Sequence, residues 1–379
     1  MSTDGTTVGH LYVHLPFCSH RCGYCDFVTV VGRSEQHGGY VDALLLELER
    51  ERAVLADDVA TVFIGGGTPS FTDPVALRRV LAALPAAREI SLEANPETVT
   101  PELAALLRAG GVTRVSLGAQ TFAPRLLEVL ERVAGPDDVR RAFHTLRDAS
   151  FDNISLDLLY GIPGQEPADL DHDLAEALTL APDHLSLYEL EAKPGTRFTH
   201  AWGDELERQS EAMEGYFERV VETLTAAGYR WYETANFCLI DEGAGGRDLR
   251  SHHNLGTWHG RDYLGVGIGA VSTLGQQRRR NAASIGRYVA ALGAGVDPPR
   301  ELERLDAETK AQERVMLGLR LDEPLPLAGL EEVVDRAALG RMVAGDLAIV
   351  GVGPAGEETL ALTRRGRFLG DAVTAELLV

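Results

Sequence analysis

Short apolar runs carrying little charge recur through the first half of the chain: Leu11–Leu15, Thr61–Ile64, Glu89–Glu93, Arg114–Leu117, Asn153–Leu158 and His184–Leu187. Runs of that length without strict alternation predict strands buried on both faces. Between them apolar residues return every three to four positions, which predicts helices over Tyr40–Leu55, Pro74–Leu84, Pro101–Ala109, Pro124–Arg132, Pro136–Ala149 and Pro167–Leu180. Asp73-Pro74, Thr100-Pro101 and Gly135-Pro136 place proline in a first helical turn. Six strand–helix alternations predict parallel strands joined by right-handed crossovers. The alternation alone also allows a doubly wound sheet.

What favours a barrel is where the polar motifs fall. Each strand is followed by an unusual stretch: Pro16-Phe17-Cys18, Gly65-Gly66-Gly67-Thr68-Pro69, Glu93-Ala94-Asn95-Pro96, Gly118-Ala119-Gln120-Thr121-Phe122, Asp157 with Tyr160-Gly161-Ile162-Pro163-Gly164-Gln165, and Tyr188-Glu189-Leu190. Sites of (β/α) barrels are assembled from such strand ends. The expected fold is therefore α/β, an incomplete parallel (β/α)6 barrel. Beyond Trp202 the rhythm changes to a long helical pattern, Leu206–Ala227, a strand-like Tyr229–Thr234, and a Gly-rich region, Gly243–Gly275. After a helical Asp306–Leu319, the segment Leu327–Val379 reads as two short helices, a hairpin (Leu347–Val352, Leu360–Thr363) and a last helix, the order of a winged-helix-like module. The domains expected are residues 1–240 (barrel), 241–300 (cover) and 301–379 (helical and winged).

The chain of 379 residues carries 36 Lys+Arg against 57 Asp+Glu, a net charge of −21. Such a balance opposes a nucleic-acid partner, whose phosphates need basic residues, so the winged module is not read as DNA-binding. A small anion held by a few arginines stays open. No apolar run reaches the ~18 residues of a membrane span, and Met1–Gly9 lacks the apolar stretch of a signal peptide, so a cytosolic location is expected.

Three of four cysteines crowd into Cys18-Ser-His-Arg-Cys22-Gly-Tyr-Cys25, a C-x3-C-x2-C pattern that suggests metal rather than a disulfide framework. Structural zinc takes four protein ligands, which would require His20 as the fourth. A four-iron cluster is also suited to thiolates, and three of them leave one iron open to a substrate or cofactor. Cys238 stands apart and reads as a buried free thiol.

With its company of motifs, the triplet resembles the radical S-adenosylmethionine (SAM) superfamily, and within it the oxygen-independent coproporphyrinogen III oxidase-like proteins. The shared stretches are Leu11-Tyr12-Val13-His14-Leu15-Pro16-Phe17-Cys18, the GGGTP loop, Glu93-Ala-Asn-Pro, Leu117-Gly-Ala-Gln-Thr-Phe, Asp157-Leu-Leu-Tyr-Gly-Ile-Pro-Gly-Gln and Tyr232-Glu-Thr-Ala-Asn-Phe, from about Tyr12 to the C-terminus. The resemblance implies a [4Fe-4S] cluster on Cys18, Cys22 and Cys25, with SAM chelating the open iron. It further implies SAM contacts from Tyr12, Tyr24, Gly66, Gly67, Thr68, Glu93, Gln120, Arg132 and Asp157. The heme-chaperone branch implies heme as a further ligand, with His253 as iron ligand, a heme-acceptor protein and an electron donor as partners. The alternative is a radical enzyme acting on a porphyrin, such as a coproporphyrinogen dehydrogenase; a structural metal-binding module would need no SAM-shaped rim.

Departures from the family pattern weigh on that choice. The coproporphyrinogen oxidases carry a further cysteine two residues after the triplet, where this chain has Asp26-Phe27, and only Met1–His10 precedes the first strand. The branch's R-x-H appears as Arg132-Val133-Ala134, and its H-N-x-x-Y-W as His253-Asn254-Leu255-Gly256-Thr257-Trp258. His252 competes with His253. Gly265-Val-Gly-Ile-Gly-Ala lacks the βαβ context of a dinucleotide fingerprint and reads as a close backbone approach. Arg278-Arg279-Arg280 and the stretch Glu47–Arg52 read as solvated faces.

Overall fold

The computed structural model describes residues 7–191, 193, 196–241 and 246–379. The chain forms two compact units, each from two stretches: Met1–Tyr216 with Asp262–Glu303, and Phe217–Arg261 with Arg304–Val379.

The first unit runs β1 (His10–Leu15), α1 (His37–Glu51), β2 (Val59–Gly66), α2 (Pro74–Ala83), β3 (Ala87–Ala94), α3 (Pro101–Ala109), β4 (Arg114–Gln120), α4 (Pro124–Val129), α5 (Pro136–Asp148), β5 (Ile154–Tyr160), α6 (Pro167–Leu180) and β6 (His184–Glu189). β1 to β6 lie side by side in chain order, every neighbouring pair parallel. A strand from far downstream, Leu264–Val266, joins the other edge of β1, also in parallel. Without a reversal of strand order there is no doubly wound switch point. The sheet is the singly wound (β/α)6 arrangement expected from the motif positions.

Local chemistry explains why the helices start where they do. α2 to α6 each begin on a proline, whose missing N–H falls among the donors that a first turn leaves unpaired. Asp73 caps α2 by accepting from Val75 N and Ala76 N, and Thr100 caps α3 from Leu103 N. Loss of either cap costs ~1 kcal/mol.

Both sheet faces are buried, but they differ in character. Leu11, Val13, Val62, Ile64, Leu92, Val115, Leu117, Leu156 and Leu185 are buried on one face. The alternate positions Thr61, Glu89, Ser91, Arg114, Ser116, Ser155 and His184 are polar and equally buried. They are knitted together: His10 Nδ1 bonds Thr61 Oγ1 at 2.8 Å, Arg114 Nη2 donates to His184 Nδ1 at 3.2 Å, and Ser155 Oγ reaches the same nitrogen at 2.9 Å.

Two expectations need correction. The helical pattern Leu206–Ala227 is not one helix: Arg197–Gln209 and Met213–Ala226 are separated by a 3₁₀ turn at Ser210–Ala212. Nor is Glu47–Arg52 a solvated face, since Glu47 is 1% and Glu51 9% exposed. Both sit on the α1 face that also buries Tyr40, Leu44 and Leu48, and both are paired with arginines, Glu47 with Arg300 and Glu51 with Arg279 and Arg300.

In the second unit Leu325–Pro326, Glu358–Leu362 and Ala348–Val352 form an antiparallel sheet with Glu358–Leu362 in the middle. With the helices Ala307–Gly318, Arg336–Ala344 and Gly370–Leu377 it encloses a core of Val315, Leu319, Leu325, Leu360, Val373 and Leu377. The hairpin lies where the sequence reading put it, but a single helix, Arg336–Ala344, precedes it within Leu327–Val379 instead of two, and two short helices, Arg364–Phe368 and Gly370–Leu377, follow it instead of one. The same unit holds the hairpin Tyr229–Glu233/Asn236–Leu239. Among the described residues no helix is long and apolar enough to cross a membrane.

Candidate functional site

β1 ends in Pro16 and hands the chain to a loop bearing the three cysteines. The loop closes on itself at its base: Phe17–Cys18 pairs with Val30–Val31, and Cys25 N donates to Cys22 O at 3.2 Å. Cys18 is buried, whereas Cys22 and Cys25 are half-buried. Burial pushes the Cys18 thiol up to about 11, although the Thr68 hydroxyl, 3.5 Å from its Sγ, works the other way. Burial also raises Cys25. Ligand-free, Cys18 and Cys25 are thus held protonated, and a metal must displace those protons to bind.

The loops after β2 and β3, with Arg132 beyond α4, close around this triplet. Gly67 touches it most tightly; a Cβ there would lie 2.5 Å from Pro16 O and 2.9 Å from Cys18 Sγ. Asn95 joins the two sides. Its Nδ2 donates to Thr68 Oγ1 at 3.1 Å, and its Oδ1 accepts from Arg132 Nη2 at 3.1 Å. Arg132 also donates to Gly118 O at 2.8 Å and approaches Cys22 Sγ at 3.7 Å, while its buried Nε has no hydrogen-bond partner. A guanidinium edge left unmet inside the protein is suited to an anionic group brought by a ligand. Asn95 was part of the motif read after β3, but nothing in the sequence distinguished it from its neighbours.

Glu93 and Asp157 come from the polar face of the sheet. Glu93 Oε2 accepts from Gly66 N at 3.1 Å, and the same carboxylate fills the space a Cβ on Gly65 would need. Desolvation, with the charge of Asp157 behind it, pushes Glu93 up to about 7. Burial likewise raises Asp157, against the Arg114 charge and the Ser116 hydroxyl, which lies 3.0 and 2.9 Å from its two oxygens. Gln120 ends β4 at φ +66°, a costly conformation for a residue with a Cβ, at the bulge that sets it opposite Leu158, one step beyond the Gly118–Asp157 pair. Tyr12 faces Phe63 across β1 and β2 and donates to His14 Nδ1 at 3.0 Å. His14 Nε2 donates in turn to Val28 O at 2.8 Å, on the returning limb of the cysteine loop. Tyr24 packs edge-on against Phe198, within a cluster containing Leu126 and Leu130.

Among the described residues no group of three or more His, Cys, Asp or Glu side chains is gathered closely enough to hold a single ion. His20, which zinc would need as a fourth ligand, lies at 3.8 Å from Glu131 instead. Three thiols on one loop suit a cluster in which each binds its own iron.

In the second unit His253 lies in the short helix His252–Trp258, capped by Ser251. Ser251 N donates to the buried Tyr232 hydroxyl at 3.2 Å. His253 is 8% exposed, and His252 is half-buried with Nε2 3.3 Å from Asp248 O. Thr257 approaches His253 O at 3.5 Å, within its own helix. The Trp258 ring lies under the Arg320 guanidinium at 4.6 Å, and Arg320 is fixed by Glu233 at 2.8 Å.

The Radical SAM superfamily model matches residues 12–177, a span containing the cysteines, the GGGTP loop, Glu93, Gln120, Arg132 and Asp157. The heme chaperone HemW of Mycobacterium tuberculosis is 37% identical over 97% of this chain and 94% of its own length. The chain belongs to the HemW family. The HemW of Bacillus subtilis (strain 168) is 34% identical over 97% of this chain and 98% of its own length. Among solved structures, coproporphyrinogen III oxidase (HemN) from Escherichia coli, described as a radical SAM enzyme, superposes with a TM-score of 0.79 at 22% identity, over 98% of this chain and 90% of that one. At that identity the match establishes the fold. Membership of a radical SAM family implies a [4Fe-4S] cluster and SAM as cofactors, which agrees with the three-thiol donor set.

Proposed function

We propose that this HemW-family chain is a heme chaperone that binds heme and passes it to an acceptor protein, and that it works in the cytosol. The observation that carries the reading is similarity to heme chaperones along nearly the whole chain. Cys18, Cys22 and Cys25 hold three irons of the cluster. Gly66, Gly67 and Thr68 let the methionine end of SAM approach the backbone, and Arg132 offers its unmet edge to the SAM carboxylate. Glu93 accepts from the ribose hydroxyls, and Gln120, Asp157, Tyr12 and Tyr24 complete the pocket. When bound, cluster and SAM supply one-electron chemistry, which calls for an electron donor.

His253 is the leading heme ligand, with half-buried His252 beside it as the competitor. Heme titrations of His252→Ala, His253→Ala and the double variant test this. Loss of the axial-ligand spectrum with His253→Ala supports the assignment; an unchanged spectrum in the double variant removes the segment from the heme site. Heme transfer to an acceptor, without protoporphyrinogen formation from coproporphyrinogen III, is the expected behaviour of the reconstituted chain. Phe27 at the position of the extra cysteine supports that expectation. Efficient protoporphyrinogen formation would overturn it.

A further inference from the structure

The Gly265–Gly269 segment has no part in the assignments above, yet several buried side chains converge on it. Glu47 of α1 takes four donors: Gly267 N at 2.8 Å and the Tyr288 hydroxyl at 2.5 Å on Oε2, and Asn281 Nδ2 at 2.8 Å and Arg300 Nη2 at 2.9 Å on Oε1. Two turns earlier, the Tyr40 hydroxyl accepts from Ile268 N at 3.1 Å and donates to His14 O at 2.8 Å. The glycines are required by closeness. A Cβ on Gly267 would lie 2.6 Å from the Tyr40 oxygen, and one on Gly269 2.7 Å from Val28 Cγ2.

Val28 connects this buried cluster to the metal site. It follows Cys25 by three residues, packs against Gly269, and accepts from His14 Nε2 through its carbonyl. Beyond it Val30 N and Gly32 N donate to Pro16 O and Cys18 O at 2.8 and 3.0 Å, closing the loop on its first cysteine. A carboxylate buried this deeply is costly unless its lone pairs are met, and here four donors meet them. Two of these fix the glycine segment: Gly267 N directly, and Asn281 Nδ2, which also donates to Gly267 O at 2.8 Å.

We propose that Glu47 and Tyr40 are positioning residues for the cysteine loop. They fix the Gly265–Gly269 segment and His14, and these two together set where the Val28 limb, and with it Cys18 and Cys25, can lie. The proposal rests on the assignment of the cluster to those cysteines, but its first readout does not.

In Glu47→Gln one amide hydrogen pair must face either Gly267 N and Tyr288 or Asn281 and Arg300, so one pair of donors loses its acceptor. Tyr40→Phe removes only the hydroxyl and covers the case in which Glu47→Gln does not fold. Glu51→Gln is the control, since Glu51 pairs with Arg279 and Arg300 from the same helix without reaching the glycine segment. Hydrogen–deuterium exchange on the full chain without cluster should show peptides covering residues 17–32 exchanging at least tenfold faster in Glu47→Gln and Tyr40→Phe, and at the parent rate in Glu51→Gln. After anaerobic reconstitution the first two should take up iron like the parent but bind SAM about tenfold more weakly, with a smaller SAM-induced change in the cluster's EPR spectrum. Parent-like exchange and SAM affinity in both, or the same change in Glu51→Gln, would overturn the proposal. Failure of the parent itself to take up iron would overturn the cysteine assignment instead, leaving the exchange result to decide the positioning role.

Discussion

Replacing Glu93 by glutamine should stabilise the cluster-free protein at alkaline pH and leave it unchanged in acid. The carboxyl of Glu93 is pushed from its ordinary 4.5 up to about 7, first by desolvation and then by the neighbouring charge of Asp157, with the Gly66 N–H and Arg114 pulling the other way. At ~1.36 kcal/mol per pKa unit this displacement sets a ceiling of about 3 kcal/mol. The sign follows from proton binding. The folded chain holds this proton more tightly than the unfolded one, so the native state carries no penalty below the unfolded value of 4.5, a growing one as pH rises, and the full penalty above about 7. Glutamine cannot ionise, and its amide oxygen can keep the bond from Gly66 N. Urea unfolding at about pH 5 and about pH 8 would show it: the midpoint of Glu93→Gln should exceed the parent's by an amount equivalent to ~1–3 kcal/mol at the higher pH, and by much less at the lower. SAM affinity should fall in the same variant, the trade between stability and function expected of a destabilised binding residue. An equal difference at both pH values, or a variant less stable than the parent at pH 8, would refute the reasoning.

Further outcomes follow from the geometry of the rim. Asn95→Ala strips Thr68 and Arg132 of their shared partner, and losing a bond to a charged group costs ~1.5–3 kcal/mol; SAM should bind roughly tenfold more weakly by titration with iron content intact, and a parent-like affinity would contradict this. Gly67→Ala would force a Cβ to 2.5 Å from the Pro16 carbonyl oxygen, so anaerobic reconstitution should recover far less iron than the parent does, and full recovery would show that the two loops can separate. Serine at Cys18, Cys22 or Cys25 should abolish stable iron binding by metal analysis, whereas Cys238→Ser, in the second unit's apolar cluster, should keep ~4 iron per chain. Stoichiometric zinc in the reconstituted parent, with no iron uptake, would count against the cluster.

The order and extent of β1 to β6 were readable because a parallel strand buried on both faces leaves a short apolar run, and because proline opens five of the six following helices. What lay on the polar face was harder to read. Arg114, Ser155 and His184 satisfy one another only once the strands are in register, so each in isolation breaks an apolar pattern without announcing a partner. The misreading of Glu47 has a different origin. The run of charges at 47–52 suggests one exposed face, whereas at helical spacing Glu47 and Glu51 fall in phase with Tyr40, Leu44 and Leu48, a phase the sequence itself carries. The helix read over Leu206–Ala227 shows the reverse: no glycine or proline marks the turn at Ser210–Ala212, so the break between the two helices left no local sign. The cysteines, the glycine loop and Glu93, which the structure brings to the same strand ends, stand in motifs that can be read from the sequence. Asn95 does not stand out there, because its importance lies in bridging two side chains that are distant in sequence.

The strand Leu264–Val266 completes the edge of β1 from more than two hundred residues downstream, after the chain has left to build the first stretch of the second unit. During synthesis β1 to β6 can therefore pair as they emerge, while the outer edge of β1 waits. Glu47 waits with it, since all four of its donors lie between Gly267 and Arg300. A nascent chain halted near Tyr216 would hold all three cysteines and every proposed SAM contact, yet carry an unpaired strand edge and a buried-type carboxylate with nothing to receive. The edge of β1 and the shell of donors around Glu47 are in this way completed only once residues 262–303 have left the ribosome.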